Sequence, residues 1–109
     1  MQITRVSPDY SASPQITPDD VAEIAALGFR SIMSNRPDGE SADQTEAAAI
    51  RAEAERLGLA FSHVPVVSGA ITEADLADFT AALADLPSPV LSYCRSGARS
   101  QNLWLLSRG

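Results

Sequence analysis

From Thr17 onward, stretches with the apolar spacing of helices alternate with short apolar runs, and this alternation restricts the possible folds more than any other property of the chain. Thr17 is placed as an N-cap, Pro18 at the first helical position and Asp19 and Asp20 at the positive end. Val21, Ile24 and Ala25 then form a stripe that stops at Gly28. A strand is expected over Phe29 to Ser34, followed by the turn-rich loop Asn35 to Glu40. A second helix is expected from near Ser41, with Gln44 as its capping-box partner, to Leu57, with Ala47, Ile50, Ala54 and Leu57 on one face and Gly58 at the stop. The strand Leu59 to Val66 leads to a third helix capped by Thr72 that turns Leu76, Phe79, Leu83 and Leu86 inward. Upstream, Ile3 to Val6 and Tyr10 to Ser13 read as a short antiparallel pair. Strands joined through helices pair in parallel by right-handed crossovers. The expected architecture is an α/β three-layer sandwich with a small central, mostly parallel sheet and one mixed edge.

Composition narrows the function. A chain of 109 residues with 45% hydrophobic content makes one domain, residues 1 to 109. Fourteen acidic residues stand against eight basic ones, all of them Arg, and the net charge of -6 argues against nucleic acid or an anionic membrane as partner. A single cysteine makes no internal disulfide and no basic-then-apolar leader opens the chain, so a cytoplasmic location is expected. One Cys and one His fall short of a zinc site, and no Gly-x-Gly-x-x-Gly or Walker pattern is present, so no metal or cofactor is expected.

The stretch that carries chemistry is Pro89-Val90-Leu91-Ser92-Tyr93-Cys94-Arg95-Ser96-Gly97-Ala98-Arg99-Ser100. It reads as a buried strand entering a tight loop at the carboxyl edge of the sheet, where open α/β folds place ligands, and then a helix from near Arg99 or Ser100. A thiol beside a helix N-terminus and two arginines has its thiolate stabilised, which makes Cys94 a nucleophile. The amides of Arg95, Ser96, Gly97 and Ala98 form a nest for an anion, Gly97 allows positive φ, and Arg99 clamps the anion. The Ser100 hydroxyl is placed to donate to the sulfur.

Cys94-Arg95-Ser96-Gly97-Ala98-Arg99-Ser100 resembles the active-site loop of rhodanese-type sulfurtransferases. The whole chain resembles the small bacterial domain of beta-lactamase-hydrolase-like proteins, through Ser11 to Thr17, Ser34 to Glu40 and His63-Val64-Pro65-Val66 as well. The resemblance implies the fold of the protein tyrosine and dual-specificity phosphatases. It implies a role in sulfide and persulfide metabolism, including sulfide detoxification, beside or fused to a persulfide dioxygenase. In that family more chain follows the last helix, so 109 residues correspond to a shortened product or an unusually small member.

Phosphatases of that fold use His-Cys-x5-Arg, whereas Tyr93 precedes Cys94 here and four residues separate it from Arg99. The smaller cradle suits a terminal sulfur better than a phosphoryl group. The expected function is therefore sulfur transfer from thiosulfate or a small persulfide, through Cys94, to a thiol such as glutathione. Two alternatives stand beside it: a cysteine-dependent phosphatase, and a non-catalytic anion-sensing or docking module for a persulfide dioxygenase. Asp38 and Glu40 are the acids a phosphatase would use, against a plainer role in turn chemistry. Arg36 is a further candidate for the anion site. His63, the sole histidine, fits a structural role better than that of a base.

Overall fold

The computed structural model describes residues 1–108. Five strands and four helices follow one another as β1 (Thr4–Ser7), β2 (Tyr10–Ser13), α1 (Pro18–Ala26), β3 (Ser31–Ser34), α2 (Ala47–Arg56), β4 (Ala60–His63), α3 (Glu73–Asp85), β5 (Val90–Tyr93) and α4 (Ala98–Ser107). The sheet order is β1-β2-β5-β3-β4, with β1 antiparallel to β2 and the other pairings parallel. This is the mixed-edge sandwich expected from the alternation.

The central strand β5 is buried on both sides, which is why it reads as an apolar run rather than an alternating one. Its two faces meet different helices. Leu91 and Tyr93 join Ile32 against Ile16, Val21, Ile24, Ile50 and Ala54, the layer of α1 and α2. Val90 joins Tyr10 and Met33 against Phe79 and Leu103, the layer of α3 and α4. Each such large side chain taken from water contributes about 1.5 to 3 kcal/mol.

Local signals and elements agree closely for α1 and α3. The Thr17 amide donates to the Asp20 carboxylate at 2.8 Å. At α3 the exchange is reciprocal, with Asp75 N donating to Thr72 Oγ1 at 3.0 Å and Thr72 N to Asp75 Oδ2 at 2.9 Å. The strands are shorter than the apolar runs: the ladder takes only Ser31–Ser34 of Phe29 to Ser34, and Ala60–His63 of Leu59 to Val66. The first strand begins at Thr4 rather than Ile3, and α4 begins at Ala98, just ahead of Arg99.

The clearest correction is at α2, which starts at Ala47 rather than near Ser41. Gln44 does not cap it. Its side chain instead staples the preceding loop, accepting from Glu40 N at 3.0 Å and donating to Pro37 O at 2.9 Å. The free amide at the helix start, Ala47 N, is taken by Asp38 Oδ1 at 2.8 Å, from nine residues upstream.

The register sets the site. Tyr93 lies beside Ser13 on one flank and Ser34 on the other, and Ser34 lies beside His63. The loops after β2, β3 and β5 therefore leave the sheet side by side. Among the described residues, no helix is long and apolar enough to cross a membrane and no three His, Cys, Asp or Glu side chains gather as metal ligands.

Candidate active site

Cys94 is the first residue beyond β5, and its residue surface is 1% exposed. The loop turns back on it: Gly97 has φ +94°, and its amide donates to Cys94 Sγ at 3.0 Å. An N–H aimed at sulfur stabilises negative charge there, and this one sits at the N-cap of α4, where the helix dipole adds in the same sense. Gly97 is needed for space as well as for φ, since a Cβ there would lie 3.2 Å from the carbonyl carbon of Ser13. The β2 loop holds the cysteine loop from the other side, with Gln15 N donating to Arg95 O at 3.2 Å and Cys94 N to Ser13 O at 3.4 Å.

The arginines divide into held and free. Arg99 is buried, and its fork grips Glu40 bidentately, Nη1 to Oε2 at 2.6 Å and Nη2 to Oε1 at 2.9 Å, while Nη1 also meets Val66 O at 3.0 Å. Arg36 joins the same carboxylate through Nε at 2.9 Å, and fixes Gln15 Oε1 at 3.0 Å and Ser41 Oγ at 3.3 Å. Hydrogen bonding to Arg99, reinforced by Arg36, holds the Glu40 carboxyl down at about 2. The same pairing pushes the Arg99 guanidinium further up. Arg95 is exposed, and among the described residues no hydrogen bond or ion pair engages its guanidinium.

Arg36, Glu40, Ser68, Arg95 and Arg99 line a cavity of about 330 Å³ at this edge of the sheet. Arg36 thus joins the loop arginines, and Glu40 joins them as a bound anion rather than as a protonated acid. Asp38 takes the plainer, structural role: its carboxylate serves the start of α2 and lines a separate cavity with His63 and Phe61. His63 Nε2 lies 3.0 Å from Arg36 O, so the ring supports the loop that carries Arg36.

Ser100 also departs from expectation. Its hydroxyl proton goes to Asn35 Oδ1 at 2.8 Å, not to the sulfur, because the first turn of α4 rotates Ser100 into the sheet, where it is fully buried. Asn35 passes the connection on, donating from Nδ2 to Val64 O at 3.1 Å and from its backbone to Tyr93 O at 2.8 Å. The Tyr10 hydroxyl donates to Ser100 O at 2.7 Å, and burial raises its phenol well above the ordinary value, keeping it a neutral donor. Asn35 escaped the sequence reading. Its one signal is position, as the polar residue that immediately follows the strand ending at Ser34.

Four of five strands in parallel, helices on both faces, and a cysteine loop running from the central strand into a helix N-terminus define a phosphatase-like α/β domain. The family can be named. Residues 2–109 match the model of the phosphatase-like domain of beta-lactamase hydrolase-like proteins, and the chain belongs to that family. It is 40% identical over 107 residues to a beta-lactamase hydrolase-like protein of Xylella fastidiosa, covering 98% of this chain and 25% of that one. The chain thus spans a quarter of the length of the relative it matches. A solved candidate phosphatase from Neisseria meningitidis superposes with a TM-score of 0.90 at 37% identity, covering 99% of this chain and 77% of that one. The solved structure of Tk-PTP shares the fold at a TM-score of 0.65 and 16% identity, over 88% and 62% of the two chains.

Proposed function

We propose that this domain is a sulfurtransferase working through a persulfide on Cys94. The observation that carries the reading is the state of the two loop carboxyls. Asp38 caps α2, and Glu40 is an ionised partner of Arg99, so neither is poised to protonate a leaving group. Phosphate monoester cleavage wants such a proton for its alkoxide. Sulfur transfer does not, since sulfite and thiolates leave as stable anions. The near-complete burial of Cys94 also favours approach by a single terminal sulfur over a phosphoryl group with three equatorial oxygens.

The chemistry balances without a further reactant. Cys94 thiolate attacks the outer sulfur of thiosulfate, or of a small persulfide. A bond forms between Sγ and that sulfur as the donor's sulfur–sulfur bond breaks, and its electron pair leaves with sulfite or thiolate. The Gly97 amide and the α4 dipole stabilise the anionic persulfide, and Arg99, held by Glu40, presents its remaining edge to the departing anion. An acceptor thiolate such as that of glutathione then attacks the outer sulfur, leaves with it, and restores Cys94. The setting would be sulfide and persulfide metabolism, with a persulfide dioxygenase as a companion.

A phosphatase is the second reading, favoured by the family's phosphatase-like description and the Neisseria relative. Paired turnover assays separate the two. Release of sulfite from thiosulfate in the presence of a thiol, lost in Cys94→Ser, is the expected result. Hydrolysis of an aryl phosphate that outpaces it and slows in Glu40→Gln would favour the phosphatase. Inactivity in both assays would favour a docking module.

A further inference from the structure

A second cavity, of about 350 Å³, adjoins the first and shares Arg36 and Arg95 with it. Gln15, Thr17, Ser41, Asp43, Gln44 and Thr45 complete its lining. Most of these polar groups are already engaged. Gln15 binds Arg36 and Ile16 O, Gln44 binds Glu40 N and Pro37 O, the Thr17 hydroxyl meets Asp20, and Arg36 bonds through each of its three guanidinium nitrogens. Among the described residues, the groups of this lining that take no hydrogen bond are the Arg95 guanidinium, the Thr45 hydroxyl, and one oxygen of Asp43, whose other oxygen accepts from Ser41 Oγ at 3.0 Å. One cation, one carboxylate and one hydroxyl thus face a cavity at the small end of the range for small-molecule sites.

We propose that this cavity is the acceptor site and that its ligand is a small thiol of the amino-acid class, bearing both an α-carboxylate and an α-ammonium. The proposal rests on the sulfur-transfer reading and adds the identity of the acceptor. Arg95 takes the carboxylate, Asp43 takes the ammonium with Thr45 beside it, and the thiol extends past Arg95 into the cavity of the cysteine loop. A ligand of one charge only would leave either Asp43 or Arg95 facing it unpaired, so simple anions and neutral thiols are disfavoured. The arrangement also gives Arg95 a separate task from Arg99: Arg99 stays with Glu40 and the transferring group, while Arg95 stands where the two cavities join.

Binding and chemistry can be tested apart. The first probe is S-methylglutathione, which cannot react, titrated into the intact protein and followed by amide chemical shifts. Shifts centred on residues 43 to 45 and 95, with affinity about tenfold weaker in Asp43→Asn, are expected for the loss of one hydrogen bond to a charged group. No saturable shifts at these residues, or equal affinity in Asp43→Asn, would overturn the site. The second arm loads Cys94 with thiosulfate and compares discharge by glutathione and by 2-mercaptoethanol at equal thiolate concentration. Faster discharge by glutathione, reduced in Asp43→Asn while loading and discharge by 2-mercaptoethanol are unchanged, is the result expected. Equal discharge by the two thiols would overturn the acceptor assignment. Failure of loading would count against sulfur transfer, and with it the acceptor role, whereas the S-methylglutathione titration judges the binding site on its own.

Discussion

The loop after β5 and the loop after β3 lie side by side at one edge of the sheet, yet they are built in opposite ways. Cys94 to Gly97 is shaped by contacts three residues apart, the Gly97 amide on the sulfur and the positive φ that aims it. Asn35 to Glu46 adds to its local staples a set of partners far away in sequence: Arg99 on Glu40 across 59 residues, Ser100 on Asn35 across 65, and His63 on Arg36 O across 27. The first loop supplies a reactive geometry from its own residues. The second takes its shape from the first and, in return, fixes the arginine that the first needs.

The comparison can be broken from either side. Gly97→Ala is expected to do most damage. An L side chain at left-handed φ costs about 1 to 2 kcal/mol, and its Cβ would press on the Ser13 backbone at 3.2 Å. Chemical denaturation should show that loss, and alkylation of Cys94 should slow as its amide donor moves. Ser100→Ala cuts one of the links between the loops. It leaves Asn35 Oδ1 buried without its donor, for about 1 to 3 kcal/mol of stability. Full stability with slowed alkylation would instead return Ser100 to the sulfur.

Asp38→Ala removes only a cap, so about 1 kcal/mol of stability should be lost with sulfur transfer retained. A large fall in activity at unchanged stability would place Asp38 in the chemistry after all. The smallest effect is the pH dependence of Glu40. Its folded value of about 2 lies below the ordinary 4.5, so its contribution is complete above about 4.5 and fades as pH falls toward 2. The stability advantage of the wild type over Glu40→Gln should shrink across that window. An advantage that does not change between pH 5 and pH 2 would show that the pair with Arg99 does not form in solution.

The same contrast explains what the sequence discloses. The cysteine loop, the α1 and α3 caps and the buried β5 are written in residues within four positions of one another, and all are legible. The start of α2 is misread because Ser41 and Gln44 match a capping box, while the helix amide is satisfied by Asp38 and Gln44 is occupied by the loop behind it. Asn35 and the Arg99 to Glu40 pairing depend on the strand order that sets β3 beside β5, and no local pattern announces it. Arg36 is reachable from sequence only as a charge near a strand end; its commitment to Glu40 and Gln15 is a tertiary result.

The most direct test of the central claim is an intact mass of the protein after thiosulfate, taken without reductant. The account predicts gain of one sulfur atom, removed by cyanide and absent in Cys94→Ala. An unchanged mass in a preparation that forms a phosphocysteine from an aryl phosphate would contradict it.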